Sequence, residues 1–130
     1  MNVLIDTHAL LWADLSTDRI PESIGKLLLD RDTKTFFSMA SAWEIAIKYN
    51  LGKLSLKNNL EGFLDRYANS KRVTILNISI AHVQNTANLP LHHRDPFDRL
   101  IISQSIVERM PIISADTKFD EYPIERLWEG

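Results

Sequence analysis

The sequence predicts an α/β fold: a mostly parallel central sheet of four to five strands with helices on both faces. Short apolar runs alternate along the chain with segments in which apolar residues recur every three or four positions. This alternation is typical of parallel strands joined by crossover helices. The 130 residues are expected to form a single domain, 1–130, because domains of about 100–150 residues are the commonest.

The predicted strands are short apolar runs, of which the first is closed by an acidic residue. They are expected at 2–6, 35–38, 73–76 and 111–115, with a possible fifth at 124–128. Apolar runs of this length suit strands that are buried in a sheet.

Helices are predicted in the intervening segments, at 8–14 (one or two turns), 20–31, 39–50, 59–70, 79–88 and 95–109. The last is the best marked, because Asp95 suits the N-cap position and Pro96 the first helical position. Gly52 is expected to terminate the third predicted helix.

Composition excludes several classes of protein. There is no cysteine, so no disulfide can form, and no apolar run approaches the roughly 18 residues of a membrane helix. The start of the chain lacks the basic region of a signal peptide, and we expect a cytoplasmic protein with no membrane contact. The net charge of −2 argues against nucleic-acid binding by bulk electrostatics, although an acidic metal site would itself subtract charge.

Four acidic residues are predicted to lie near one edge of the sheet. Asp6 closes the first strand and Asp116 follows the fourth. Glu44 and Asp98 lie in the opening turns of helices. Because ligands of open parallel sheets bind beyond the carboxyl ends of the strands, these residues are candidates for a shared site.

Clustered carboxylates require a counter-ion or raised pKa values. Two unit charges about 4 Å apart repel by about 4 kcal/mol at an effective dielectric near 20. Oxygen ligands without histidine or cysteine favour Mg²⁺ or Mn²⁺ over zinc, and such ions can assist phosphodiester displacement.

Each acidic residue also has a purely structural interpretation. Asp6 and Asp116 could cap the segments that follow them, and Asp98 could complement a helix dipole. Ser41 and Glu44 fit a capping box. Spacing alone leaves both interpretations open.

Sequence motifs point to a family. In chain order they are NVLIDTHALLW at 2–12, SAWEIAIK at 41–48, LGKL at 51–54, HHRDPFDRLI at 92–101, ISAD at 113–116 and RLW at 126–128. Together they closely resemble the VapC-like PIN-domain toxins, and the resemblance covers essentially the whole chain.

The resemblance implies a doubly wound domain that acts as a Mg²⁺- or Mn²⁺-dependent endoribonuclease. The four metal-holding acids of the family fall here on Asp6, Glu44, Asp98 and Asp116, and none is replaced. Resemblance to these toxins also implies a VapB-like antitoxin as partner and a homodimer, with RNA as the substrate.

Further residues near these motifs have secondary expectations. Asp95 is expected to be a cap first and a metal-linked group second, while the hydroxyls of Thr7 and Ser114 stand near acids and are candidates to orient them. The candidates for contact with RNA phosphates are Lys48, Arg94 and Arg99. Three aromatic residues are assigned to the core: Trp12, Trp43 and Phe97.

Two other functions remain as alternatives. An aspartate-based phosphotransfer enzyme would use Asp6 as its nucleophile, but His8 occupies the place of the usual second aspartate. A non-catalytic PIN scaffold would keep the acids without binding metal.

Overall fold

A computed structural model describes residues 1–129. The strands are Asn2–Ile5 (β1), Lys34–Ser38 (β2), Val73–Leu76 (β3), Ile112–Ile113 (β4) and Arg126–Leu127 (β5). The helices are Thr7–Leu15 (α1), Glu22–Leu29 (α2), Met39–Asn50 (α3), Asn59–Ala68 (α4), Ile80–Thr86 (α5) and Pro96–Glu108 (α6), with short 3₁₀ segments at Thr17–Arg19 and Thr117–Glu121.

The five strands form one sheet in the order β3-β2-β1-β4-β5, and every neighbouring pair is parallel. This confirms the predicted α/β class. The central strand β1 is buried on both faces, as expected for a parallel sheet covered by helices.

Alternate residues of β1 face two separate hydrophobic cores. Ile5 belongs to the core that includes Ile24 of α2 and Phe63 of α4. Leu4 belongs to the opposite core, which includes Ile101 of α6. Because side chains along a strand alternate between its two faces, β1 packs against both helical layers.

Strands β2 and β4 lie on opposite sides of β1, so the order of the strands reverses there. The chain runs from β1 outward through β2 to β3, and then returns to place β4 on the other side of β1. The carboxyl ends of β1 and β4 therefore form the switch point where such sheets bind ligands.

Several predicted boundaries need correction. Helix α1 has nine residues, more than the one or two turns expected, while β4 and β5 have only two each. Trp43, assigned to the core from sequence, is 63% exposed and lies edge-on against Phe97. Its neighbours Ala42 and Ile45 occupy the buried side of α3 instead.

Gly52 behaves as predicted at the end of α3. Its φ of 72° lies in the left-handed region that glycine enters at little cost, and its N–H donates to the carbonyl of Tyr49. Within residues 1–129, no helix is long and apolar enough to cross a bilayer.

The core position of Ile101 gives the first prediction. Ile101→Ala is expected to lower the free energy of unfolding by about 2–5 kcal/mol, because it leaves a cavity in a fully buried site. Ile80→Ala, at an exposed position, should change it by less than about 0.5 kcal/mol. Urea denaturation followed by circular dichroism measures both, and equal losses would contradict the core assignment.

Candidate metal centre

Asp6 is held in place by the start of α1. As the N-cap of this helix, its Oδ1 accepts a hydrogen bond from the Ala9 N–H at 2.8 Å. Its Oδ2 accepts a short hydrogen bond from the Ser114 hydroxyl, across the switch point. Burial raises the pKa of Asp6, although the hydrogen bonds from Ser114 and Ala9 oppose the shift.

Asp116 caps the 3₁₀ segment that follows β4. Its Oδ1 accepts from the Lys118 N–H at 3.0 Å, and its own N–H donates to the Ser114 hydroxyl at 3.0 Å. Ser114 thus links the carboxylate after β1 to the backbone after β4.

Asp98 occupies the first turn of α6. Asp95 caps the helix by accepting from the N–H groups of Phe97 and Asp98, at 2.8 and 3.2 Å. Burial first, and then the negative charges of Asp95, Glu44, Asp6 and Asp116, raise the pKa of Asp98 to about 8. Asp6, Glu44 and Asp116 therefore all lie within electrostatic range of Asp98.

Glu44 lies on the buried side of α3, in its second turn. The capping-box interpretation is wrong, because the N-cap is Ser38, whose hydroxyl accepts from the Ala40 N–H. One oxygen, Oε2, pairs with Lys48 at 3.2 Å, one helical turn further on. The other, Oε1, is buried without a hydrogen-bond partner among the described residues.

His93 joins this cluster although the sequence did not single it out as a site residue. Its Nε2 lies 3.0 Å from Asp98 Oδ2 and 3.2 Å from Asp116 Oδ2. The three ligand atoms all lie within 4.8 Å of one another. The only available signal was its position two residues before the N-cap of α6.

The remaining candidate residues, Thr7, Arg99 and Arg94, differ in what their side chains contact. The buried hydroxyl of Thr7 donates to Ser41 Oγ at 2.9 Å and does not contact a carboxylate. Arg99 donates to the carbonyls of Thr86, Leu89, Pro90 and His93. These bonds tie the segment before α6 to the helix and give Arg99 a structural role, whereas Arg94 is exposed.

The donor set fits a hard divalent cation. Asp98 and Asp116 each come within 3.2 Å of His93 Nε2. Asp6 and Glu44 lie close enough to raise the pKa of Asp98, and Glu44 Oε1 has no partner among the described residues. An unpartnered buried carboxylate oxygen is costly, and a cation would relieve both this cost and the mutual repulsion. Oxygen ligands of this kind suit Mg²⁺ or Mn²⁺.

Comparison with known proteins identifies relatives of this fold. The family model described as PIN domain matches residues 3–125. VapBC2 from Rickettsia felis, bound to a promoter DNA fragment, has a chain with a TM-score of 0.74 and 19% identity, over 98% of this chain and 99% of that one.

Two more solved structures are similar to this chain over nearly its full length. DNA-bound VapBC from Salmonella typhimurium matches with a TM-score of 0.71 and 14% identity, over 99% and 98% of the two chains. A toxin-antitoxin complex from Klebsiella pneumoniae matches at 0.59 and 16%, over 96% and 95%. None of the curated proteins matches the sequence significantly.

The raised pKa of Asp98 predicts how stability depends on pH. Between about pH 4 and pH 8 the metal-free folded protein holds a proton on Asp98 that the unfolded chain releases, so stability should fall as pH rises through this window. Asp98→Asn removes the titrating group. In EDTA the variant should gain at least about 1 kcal/mol over wild type at pH 8, with little gain at pH 4.

Thermal unfolding at a series of pH values measures this difference. Asp65→Asn provides a matched control, because Asp65 is an exposed acid on α4, and it should retain the pH dependence of wild type. The same advantage for Asp98→Asn at every pH would contradict the electrostatic explanation.

Proposed function

The chain belongs to the PIN-domain family, and from this premise we propose that it is a Mg²⁺- or Mn²⁺-dependent endoribonuclease, the toxin of a VapBC-type pair. The observation that carries the proposal is the grouping of Asp98 and Asp116 around His93 beyond the carboxyl end of β4. Asp6 and Glu44 lie near enough to raise the pKa of Asp98. Asp6, Asp98 and Asp116 would hold the ion directly, and Glu44 would either bind it or orient its water.

Hydrogen bonds within the protein fix the orientation of these carboxylates in the absence of an ion. Asp6 and Asp116 are each fixed through one oxygen by a backbone N–H, at 2.8 and 3.0 Å. Ser114 sets the second oxygen of Asp6. Carboxylates held in this way lose little further freedom when they bind a ligand, which favours both affinity and a fixed geometry.

A bound divalent ion supplies activation of a water molecule and neutralisation of charge on the phosphate. Exposed side chains adjacent in sequence to the site residues would then orient the RNA. Arg94 is exposed next to His93, and Trp43 is exposed next to Glu44. An exposed cation and an exposed aromatic ring suit a phosphate and an unpaired base, respectively.

The partners of the protein follow from the same proposal. Chains from VapBC structures and from a toxin-antitoxin complex share this fold over nearly their full length. A VapB-like antitoxin with a cationic side chain would suit the acidic cluster, because charge-assisted hydrogen bonds to carboxylates are strong. We propose further that the protein forms a homodimer and is located in the cytoplasm.

Substitution of single ligands tests the activity. Asp6→Asn and Asp98→Asn should each reduce Mg²⁺-dependent RNA cleavage by about 100-fold or more, since each removes a charge from the metal site. Asparagine remains a good N-cap, so α1 should stay intact in Asp6→Asn. Cleavage of total RNA, analysed by mapping the new ends, measures the loss and identifies the preferred substrate.

Asp65→Asn, remote from the cluster, should cleave at the rate of wild type. Undiminished cleavage by either folded site variant would refute the proposed mechanism. A wild-type chain that neither cleaves RNA nor binds Mn²⁺ would instead indicate a non-catalytic PIN scaffold.

The partner assignments predict two results. Co-expression with the product of a neighbouring reading frame should give a stable complex in which RNA cleavage is suppressed. Light scattering of the free chain should give about twice the mass of one chain, 15.0 kDa. A monomer would exclude the dimer, and cleavage undiminished in the complex would exclude inhibition by that partner.

A further inference from the structure

Among the side chains of residues 1–129, His93 is the one buried nitrogen group that contacts Asp98 and Asp116. Its position is built by several elements. Its backbone N–H donates to the Tyr122 hydroxyl at 2.8 Å, and its carbonyl accepts from Arg99 at 3.2 Å. Its ring packs at 5.7 Å from the ring of Phe119. These contacts hold the His93 ring against Asp98 and Asp116.

The tautomer of His93 follows from its neighbours. The backbone N–H of Asp95 lies 3.3 Å from Nδ1 and can only donate, so Nδ1 must present a lone pair. In the neutral ring the proton then sits on Nε2. This N–H donates to Asp116 Oδ2 at 3.2 Å, and Asp98 Oδ2 lies 3.0 Å from the same nitrogen.

This arrangement differs from that of a histidine that binds a metal. A ligating imidazole usually donates its second ring N–H to an acceptor, which leaves a lone pair for the ion. Here the second nitrogen faces a donor, so Nε2 carries hydrogen and has no lone pair to offer. Carboxylates that bind metals, however, are commonly hydrogen-bonded by outer groups.

We infer that His93 is a positioning residue that holds Asp98 and Asp116 together through its Nε2–H and does not itself bind the ion. The inference rests on the proposed function, because it concerns the same metal centre. Loss of this nitrogen would remove the hydrogen bond to Asp116, after β4, and the 3.0 Å contact with Asp98, on α6. Metal affinity would fall even though every carboxylate remained.

Three variants separate this role from a merely structural one. His93→Phe keeps a flat ring against Phe119 but removes the donor. His93→Gln restores an N–H at a similar distance from the backbone. His92→Phe is the control, because His92 is half-exposed and lies 3.9 Å from Glu121, away from the cluster.

Mn²⁺ binding to the full chain, measured by calorimetry, is the main readout. His93→Phe should weaken the affinity by about 10- to 100-fold, the effect usual for loss of an outer hydrogen bond to a ligand. His93→Gln should recover most of the affinity, and His92→Phe should match wild type. Circular dichroism and thermal unfolding establish that each variant is folded.

Pulsed electron paramagnetic resonance of the Mn²⁺-loaded protein gives the second readout. Wild type should show no nitrogen bound directly to Mn²⁺. A directly bound imidazole nitrogen that disappears in His93→Phe would overturn the inference and make His93 a ligand. Unchanged affinity in a folded His93→Phe would also overturn it, leaving the proposed function intact, whereas absence of Mn²⁺ binding in wild type would overturn both.

Discussion

The cost of holding several partly buried carboxylates together is the constraint on which the arrangement of this site depends. Burial and neighbouring charges raise the pKa of Asp98 to about 8, and burial also raises the pKa of Asp6. Hydrogen-bond donors and cations around the acids offset this cost. They are backbone N–H groups at the starts of helical segments, the Ser114 hydroxyl, Lys48 and His93. The acids thus gather at the edge of the sheet, while the two cores remain apolar.

Capping and site formation turn out to be compatible roles for the same side chain. In both Asp6 and Asp116, Oδ1 accepts from the backbone of the following segment. Oδ2 accepts from a side chain, Ser114 for Asp6 and His93 for Asp116. A carboxylate has about four lone-pair positions, so one hydrogen bond per oxygen leaves others for a cation. The helix start therefore both gains an N-cap and fixes the direction of a site carboxylate.

The fold was largely predictable because its signals are local. Alternating apolar runs, Asp95 and Pro96 at the start of α6, and Gly52 after α3 each act within a few residues. Placement of the acids at one edge followed from parallel topology. The capping box at Glu44 failed because α3 begins one turn earlier, with Ser38 as its N-cap, which places Glu44 in the second turn.

Tertiary contacts explain what the sequence did not reveal. His93 meets Asp116 from 23 residues away, and its tautomer depends on the Asp95 N–H, which a one-dimensional pattern does not encode. Trp43 was misplaced because α3 packs mainly through its small and aliphatic residues, leaving the largest one outside. Neither result could be obtained from composition or periodicity.

The distribution of positive charge has a consequence for the proposed substrate. Lys48 is paired with Glu44, and Arg99 donates to backbone carbonyls, so neither cation is fully available to a phosphate. A polyanion would approach an acidic cluster within a chain of net charge −2, and without a cation it would be repelled. Divalent ions and RNA should therefore bind cooperatively. Because such coupling is reciprocal, RNA would strengthen ion binding by the same factor.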